Sequence, residues 1–260
     1  MNRQAEPFYQ KDFPPAEFAA RRQRVAEQIG GGAAAVLRGG VSTGAFDVFR
    51  QTNEFYYLSG VEVPHACQLI RGGSAETTLY LLGGDAHAKG EGKELNADEP
   101  EIAIDLTGVQ EVKPLDALAR DLRSFATIYL PFGPGEGRMQ CRDTLAQARK
   151  QRVADPWEDP IAPERRFRNR LAAECPSAQI HDLSPILDGL RLIKSPREID
   201  LMRRAGEMTA VAVHEAMRET RAGMFEYELG AIADCIFIAR GAKGGAYRPI
   251  IAGGANIWNG

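Results

Sequence analysis

SPREIDLMRRAGEMT, residues 195–209, carries the clearest helix start in the chain. Ser195 can cap the helix, Pro196 suits the first helical position where an N–H has no partner, and Glu198 can reach back to the Ser195 backbone N–H. A cap of this kind is worth about 1 kcal/mol. Ile199, Met202, Gly206, Val213 and Met217 fall near one face, Arg203, Arg204 and Glu207 point outward, and Gly223 is the expected stop. A second helix is expected over residues 226–240, with Leu229, Ile232, Ile236 and Ala239 on one stripe. Gly241, Gly244 and Gly245 then release the chain into an extended segment, residues 247–251, read as a strand. Two apolar-faced helices and a single strand do not make a finished domain, so the chain is expected to be truncated at Gly260.

Upstream, helical and strand patterns alternate. Phe18, Arg22, Val25 and Ile29 recur at helical spacing after Pro14 and Pro15, with Arg21, Arg22 and Arg24 read as the solvated face. Residues 33–37, 55–58, 67–70, 77–82 and 127–131 read as strands, and residues 115–125, 139–152 and 164–173 as helices. The fold class is therefore α/β with a mixed sheet. The domains are placed at residues 1–183 and 195–260, joined by a linker at 184–194 that Pro185 and Gly189 punctuate.

Composition removes several classes. With 44% hydrophobic and 26% charged residues and a net charge of -3, the chain reads as an ordinary folded protein with no basic footprint for nucleic acid. The start, MNRQAEPFYQKDF, lacks an apolar signal core, and no apolar run reaches bilayer length, so no membrane partner is expected. Cys67, Cys141, Cys175 and Cys235 form no C-x-x-C pair and are expected as small buried or half-buried thiols in a reducing, cytoplasmic setting.

The chemistry-bearing residues do not converge in sequence. His65, His87, His181 and His214 make no H-x-x-x-H, and the residue four after His214 is Arg218. Residues 133–137, GPGEG, lie where a dinucleotide loop would, but the spacing is G-x-G-x-G and Pro134 lacks an N–H, so a simple turn is the expected reading. No P-loop or nucleophile elbow is present. No catalytic residue and no metal ligand is assigned.

Three segments together resemble the aminopeptidase P and prolidase branch of the pita-bread metallopeptidases. FAARRQRVAEQI (18–29), AAAVLRGG (33–40) and FRQTNEFYYLSGVEVPHACQLI (49–70) are similar to that branch's creatinase-like N-terminal domain. LRLIKSPREIDLMRRAGEMTAVAVHEAMRETRAGMFEYELGAIAD (190–234) resembles the entry helices of its catalytic domain, and YRPIIAGGANIWNG (247–260) its first strand and turn. The resemblance implies the N-terminal part of a Xaa-Pro aminopeptidase, with two divalent ions, manganese in the usual case, held by residues beyond Gly260 of a full-length parent. It also implies a proline-containing peptide as substrate and a homo-oligomer. Tyr247, Ile251 and Asn256 become the residues expected to wall the substrate cleft. The 260-residue chain alone is expected to be inactive. Prolidase, creatinase-type hydrolysis and a metal-free binding or scaffold module remain as alternatives.

In the family the turn Gly-Ala-Asn is followed by four variable positions and then His-Tyr. Gly254-Ala255-Asn256 is followed here by Ile257, Trp258, Asn259 and Gly260. The resemblance thus implies that an intact gene encodes histidine directly after Gly260. Sequencing across that point checks it, and a stop codon there would favour the binding-module alternative.

Overall fold

The computed structural model describes residues 12–42, 49–84, 95–247 and 249–259. It divides into two compact units, one of Met1–Gly137 and Cys141–Ile193, the other of Arg138–Gln140 and Lys194–Gly260.

The first unit is built around a six-stranded sheet. Its elements are helix α1 (Pro15–Ile29), strand β1 (Ala33–Arg38), helix α2 (Asn53–Ser59), strands β2 (Cys67–Arg71) and β3 (Thr77–Leu81), and helix α3 (Pro100–Thr107). Strand β4 (Glu111–Pro114), helix α4 (Leu118–Leu122), strand β5 (Thr127–Leu130), helices α5 (Arg142–Ala154) and α6 (Pro163–Glu174), strand β6 (Gln179–Asp182) and helix α7 (Ser184–Leu192) follow. The strand order is β4-β3-β2-β1-β5-β6. β2 runs antiparallel to both β1 and β3, whereas β1–β5, β3–β4 and β5–β6 are parallel. The mixed sheet is the one expected.

β1 is central, and its apolar run AAAVL reflects burial on both faces. Ala33, Ala35 and Leu37 join a core with Val25, Ala26 and Ile29 of α1, Phe55 and Leu58 of α2, Ala103 of α3 and Leu187 of α7. Ala34 and Val36 face a second core with Leu118 and Leu122 of α4 and Leu171 of α6. Helices thus cover both sheet faces, a three-layer arrangement.

Residues 55–58 are helical, not a strand. The aromatic run FYYL mimics β composition, but Gly60 adopts φ 70° and ends a helix by donating its N–H to the Tyr56 carbonyl. A Cβ on Gly60 would lie 2.5 Å from the Phe18 ring, so glycine also permits α1 to approach. Residues 184–192 form helix α7, with Leu187 buried beside Leu183.

Arg21 and Arg22 overturn their sequence reading, since both are buried, at 2% and 1% exposure. Arg21 Nη1 donates to the Tyr57 carbonyl at 3.0 Å, and its guanidinium lies 4.3 Å from the centre of the Tyr57 ring and 4.6 Å from that of Phe13. Arg22 donates to the Leu58 carbonyl at 3.1 Å and to the Gly108 carbonyl at 3.0 Å. These acceptors lie at the C-terminal ends of α2 and α3, where carbonyls lack helical partners and the helix dipole favours a cation. Arg24 is exposed, as expected.

The second unit contains helices α8 (Pro196–Glu219) and α9 (Glu226–Ala239), which pack on each other. The capping box forms as read: Glu198 N–H donates to Ser195 Oγ at 3.2 Å, and Ser195 N–H to Glu198 Oε2 at 2.7 Å. Within this unit Ala212 is the one buried hydrophobic residue among those described, whereas Met202, Val213 and Met217 are exposed. The apolar stripe read on one face of α8 is therefore open. The expected strand at 247–251 is absent among the described residues, because the unit offers no neighbouring strand for its backbone groups. A 3₁₀ turn, Gly254–Asn259, follows.

Replacing Arg22 by Met keeps much of the volume but leaves the Leu58 and Gly108 carbonyls without this donor. Arg22→Met is expected to destabilise the first unit by about 2–4 kcal/mol, read as a lower urea midpoint. The exposed neighbour change Gln23→Ala is expected to stay within about 0.5 kcal/mol.

Candidate functional site

The segment singled out for a cleft wall folds back on the start of α9. Glu226 opens that helix, where a carboxylate is favoured by the helix dipole. Its Oε1 accepts from Gly253 N–H at 2.6 Å and from Asn256 Nδ2 at 3.0 Å. These bonds, the Gly253 amide first and the Asn256 amide second, hold the Glu226 carboxyl below its ordinary pKa. One side chain thus anchors the turn that carries Asn256.

Ile251 packs against the same helix. A Cβ on Gly230 would lie 3.2 Å from Ile251 Cδ1, so the glycine makes room for it. Tyr247 is not drawn in and stands 71% exposed. The structure therefore brings Ile251 and Asn256 to α9 and leaves Tyr247 apart. Glu226 escaped the sequence reading; the signal was an acid at a helix start within reach of a downstream Gly-Gly-Ala-Asn run.

The other candidates have structural partners. In the 133–137 loop, Asn53 N–H donates to the Glu136 carbonyl, while Phe132 N–H donates to Asp182 Oδ1 and to Ser184 Oγ. A Cβ on Gly135 would lie 3.0 Å from Thr52 Cγ2, so the loop packs onto the start of α2 rather than around a phosphate. His65 Nε2 accepts from the Ser42 backbone, His181 stacks on Tyr129, His214 lies 3.7 Å from Glu215, and His87 is outside the described residues. All four cysteines are free; Cys67 and Cys175 are buried as expected, but Cys141 and Cys235 are exposed. Burial pushes the Cys67 thiol up to about 12, which makes it inert at neutral pH.

Two charged clusters remain. Glu54 is buried with its carboxyl pKa raised by desolvation, 3.7 Å from Arg191 and 3.8 Å from Arg142. Asp121 accepts from Tyr80 and pairs with Lys113; burial first and then this bond raise the Tyr80 pKa, and hydrogen bonds to Glu111 and then to Asp121 raise that of Lys113. Each carboxylate already faces a cation, and neither cluster pairs a nucleophile with a base. Among the described residues no group of three or more His, Cys, Asp or Glu is placed to hold a metal ion. These residues therefore do not fit a two-metal centre, and no catalytic step is assigned to them.

Comparison with known proteins follows the two units. Residues 18–129 match the family "Aminopeptidase P, N-terminal domain", and residues 200–257 match "Metallopeptidase family M24". The chain is 28% identical over 248 residues to a Xaa-Pro aminopeptidase of Escherichia coli, covering 92% of this chain and 53% of that protein. A solved chain from Bacillus anthracis aligns with a TM-score of 0.70 at 22% identity, covering 89% of this chain and 53% of that one, a likeness of fold alone. A zinc-substituted E. coli aminopeptidase P solved in complex with product aligns with a TM-score of 0.66 at 26% identity, covering 90% of this chain and 51% of that one. The chain spans about half the length of the relatives it matches.

The Glu226 anchor has a direct test. A carboxylate whose pKa is depressed in the fold keeps its bonds above the ordinary value and loses them as pH falls through the lowered one. The Gly253 amide proton is expected to lie downfield at neutral pH and to move upfield on acidification, with a midpoint below that of an ordinary glutamate. In Glu226→Ala that titration should vanish from the NMR spectrum.

Proposed function

We propose, for a chain that joins an aminopeptidase P N-terminal domain to the opening helices of a metallopeptidase family M24 domain, that its role lies in a Xaa-Pro aminopeptidase releasing the N-terminal residue that precedes proline. The observation that carries this reading is the pair of family matches, in order, one in each compact unit. The named relatives are Xaa-Pro aminopeptidases, which favours that activity over dipeptide cleavage. A bond to proline has no N–H and a restrained backbone, so a dedicated enzyme is chemically reasonable.

The finer parts of the reading rest on the same likeness. Divalent metal dependence belongs to the family, and manganese is our choice of ion, since carboxylate-rich sites suit it. The metal ligands would come from polypeptide other than the residues described here, so the 260-residue chain alone is proposed to be inactive. Asn256, with its turn anchored by Glu226, and Ile251, packed on α9, are proposed as cleft-wall residues, with Tyr247 as an exposed third member. A homo-oligomer acting in the cytoplasm completes the proposal.

Two assays test it. The purified 260-residue chain, given manganese and a fluorogenic Xaa-Pro peptide, is expected to show no turnover; metal-dependent cleavage that survives removal of contaminating peptidases would sink the inactivity claim. The natural product, captured from source cells with antibodies raised against this chain, is expected to release the first residue of Xaa-Pro tripeptides when manganese is added. An inert natural product would favour a binding module, and cleavage confined to Xaa-Pro dipeptides would favour prolidase.

A further inference from the structure

Gln68 of β2 carries a buried amide whose hydrogen-bonding capacity is not met. The residue is 0% exposed, and neither its Oε1 nor its Nε2 has a hydrogen-bond partner among the described residues. A side-chain amide offers two donors and two acceptors, and buried polar groups are paired in the great majority of cases. This one stands in an apolar layer. Its cross-strand neighbours are Leu37 of β1 and Leu79 of β3, both core residues, and Ile70 follows on the same face. Leaving such an amide dry in hydrocarbon costs more than immobilising a water that serves it.

A second buried amide approaches the same face. Gln51 Oε1 accepts from Gly40 N–H at 2.6 Å and from Thr52 N–H at 2.8 Å, and its Nε2 donates to the Val63 carbonyl at 3.1 Å. Two N–H donors at one atom and a carbonyl at the other fix which atom is the oxygen. These bonds use both lone pairs of Oε1 but one of the two N–H groups of Nε2. That nitrogen lies against Gly39, where an added Cβ would stand 2.6 Å from it. Gly39 comes two residues after Leu37, the register partner of Gln68, so it falls on the same sheet face and diagonally across from Gln68. Diagonal neighbours lie about 7–8 Å apart, within reach of long side chains. Ala35, Gly39 and Ala66 put no bulky side chain around Gln68 on this face.

We propose that Gln68 and Gln51 hold an internal water between them. The water accepts the second Nε2 N–H of Gln51 and donates to Gln68 Oε1, and the adjacent Gln68 N–H donates back to its oxygen. Three hydrogen bonds of this kind are the ordinary complement of a buried water. An ion does not fit, because no charge on this face would compensate it. The water ties β2 to the Gln51 junction, which already joins the end of β1, the start of α2 and the segment before β2. The proposal rests on the first unit alone, so its failure leaves the peptidase reading untouched.

NMR of the 260-residue chain with isotope-labelled glutamine side chains tests it. The Nε2 protons of Gln68 and of Gln51 are both expected to show Overhauser contacts to water, with the rotating-frame sign of dipolar transfer and not of chemical exchange. Gln68→Met keeps the length of the side chain and removes its amide. Its spectrum assigns the Gln68 signals by their loss, and the water contact of Gln51 is expected to disappear with them. A Gln68 amide without a water contact would overturn the proposal; a direct bond between the two amides would give that result. A Gln51 contact that persists unchanged in folded Gln68→Met would also overturn it, since the water would then belong to Gln51 alone. If the variant does not fold, single-residue assignment of the wild-type spectrum decides: both contacts present supports the bridge, and either one missing overturns it.

Discussion

Two buried guanidinium groups hold the first unit together at the point where its helices would otherwise be least satisfied. α2 is short and ends inside the protein, so its last carbonyls have neither helical partners nor water. Arg21 and Arg22 of α1 supply the donors at Tyr57 and Leu58, and Arg22 extends the same service to Gly108 after α3. Burying a cation is costly unless its donors are met, and here backbone carbonyls and aromatic faces meet them. The pair therefore fixes three helices on one sheet face at once. Phe18, from the same helix, sits against Gly60 and completes the junction.

That junction also shows where a sequence stops being readable. Arginine on an amphipathic helix is usually solvated, and nothing in FAARRQRVAEQI says that two of its charges face helix ends. The central elements were legible because burial writes itself into composition: AAAVL, CQLI and TTLYL are apolar runs of strand length. β4 (EVKP) and β6 (QIHD) were not, because sheet edges are short and charged, and charged edges resist pairing with other chains. FYYLS misled for the opposite reason, since aromatic residues favour strands and only Gly60 at the end signalled a helix stop. At the candidate site, Asn256 and Ile251 came from family likeness, whereas Glu226, which anchors their turn, needed coordinates: its two donors lie 27 and 30 positions downstream.

The same physical logic explains how the buried and bonded carboxylates among the described residues support structure. A general base or metal ligand needs a carboxylate with unfilled lone pairs aimed at a common point. Glu54 faces Arg191 and Arg142, Asp121 faces Lys113 and Tyr80, and Glu226 Oε1 accepts from two amides. Each is held by its neighbours, and none converges with another. The described residues thus supply framework, and the turn that carries Asn256 is anchored by the Glu226 carboxylate.

The two kinds of exposed surface differ in their need for cover. On α8 and α9 the open positions include the apolar side chains of Met202, Val213, Met217 and Ile238, with Met217 at 72% exposure. Apolar surface of that kind gains free energy in proportion to area removed from water and does so regardless of salt, which suits permanent cover. On α5 and the turn after it the open positions include Arg149, Lys150, Arg152, Asp155, Glu158 and Asp159, with Val153 and Trp157 among them. Charge pairs at such a rim set register and orientation more than affinity, and salt weakens them. A surface of the first kind is continuous with folding, whereas a charged surface of the second kind is stable in water without cover.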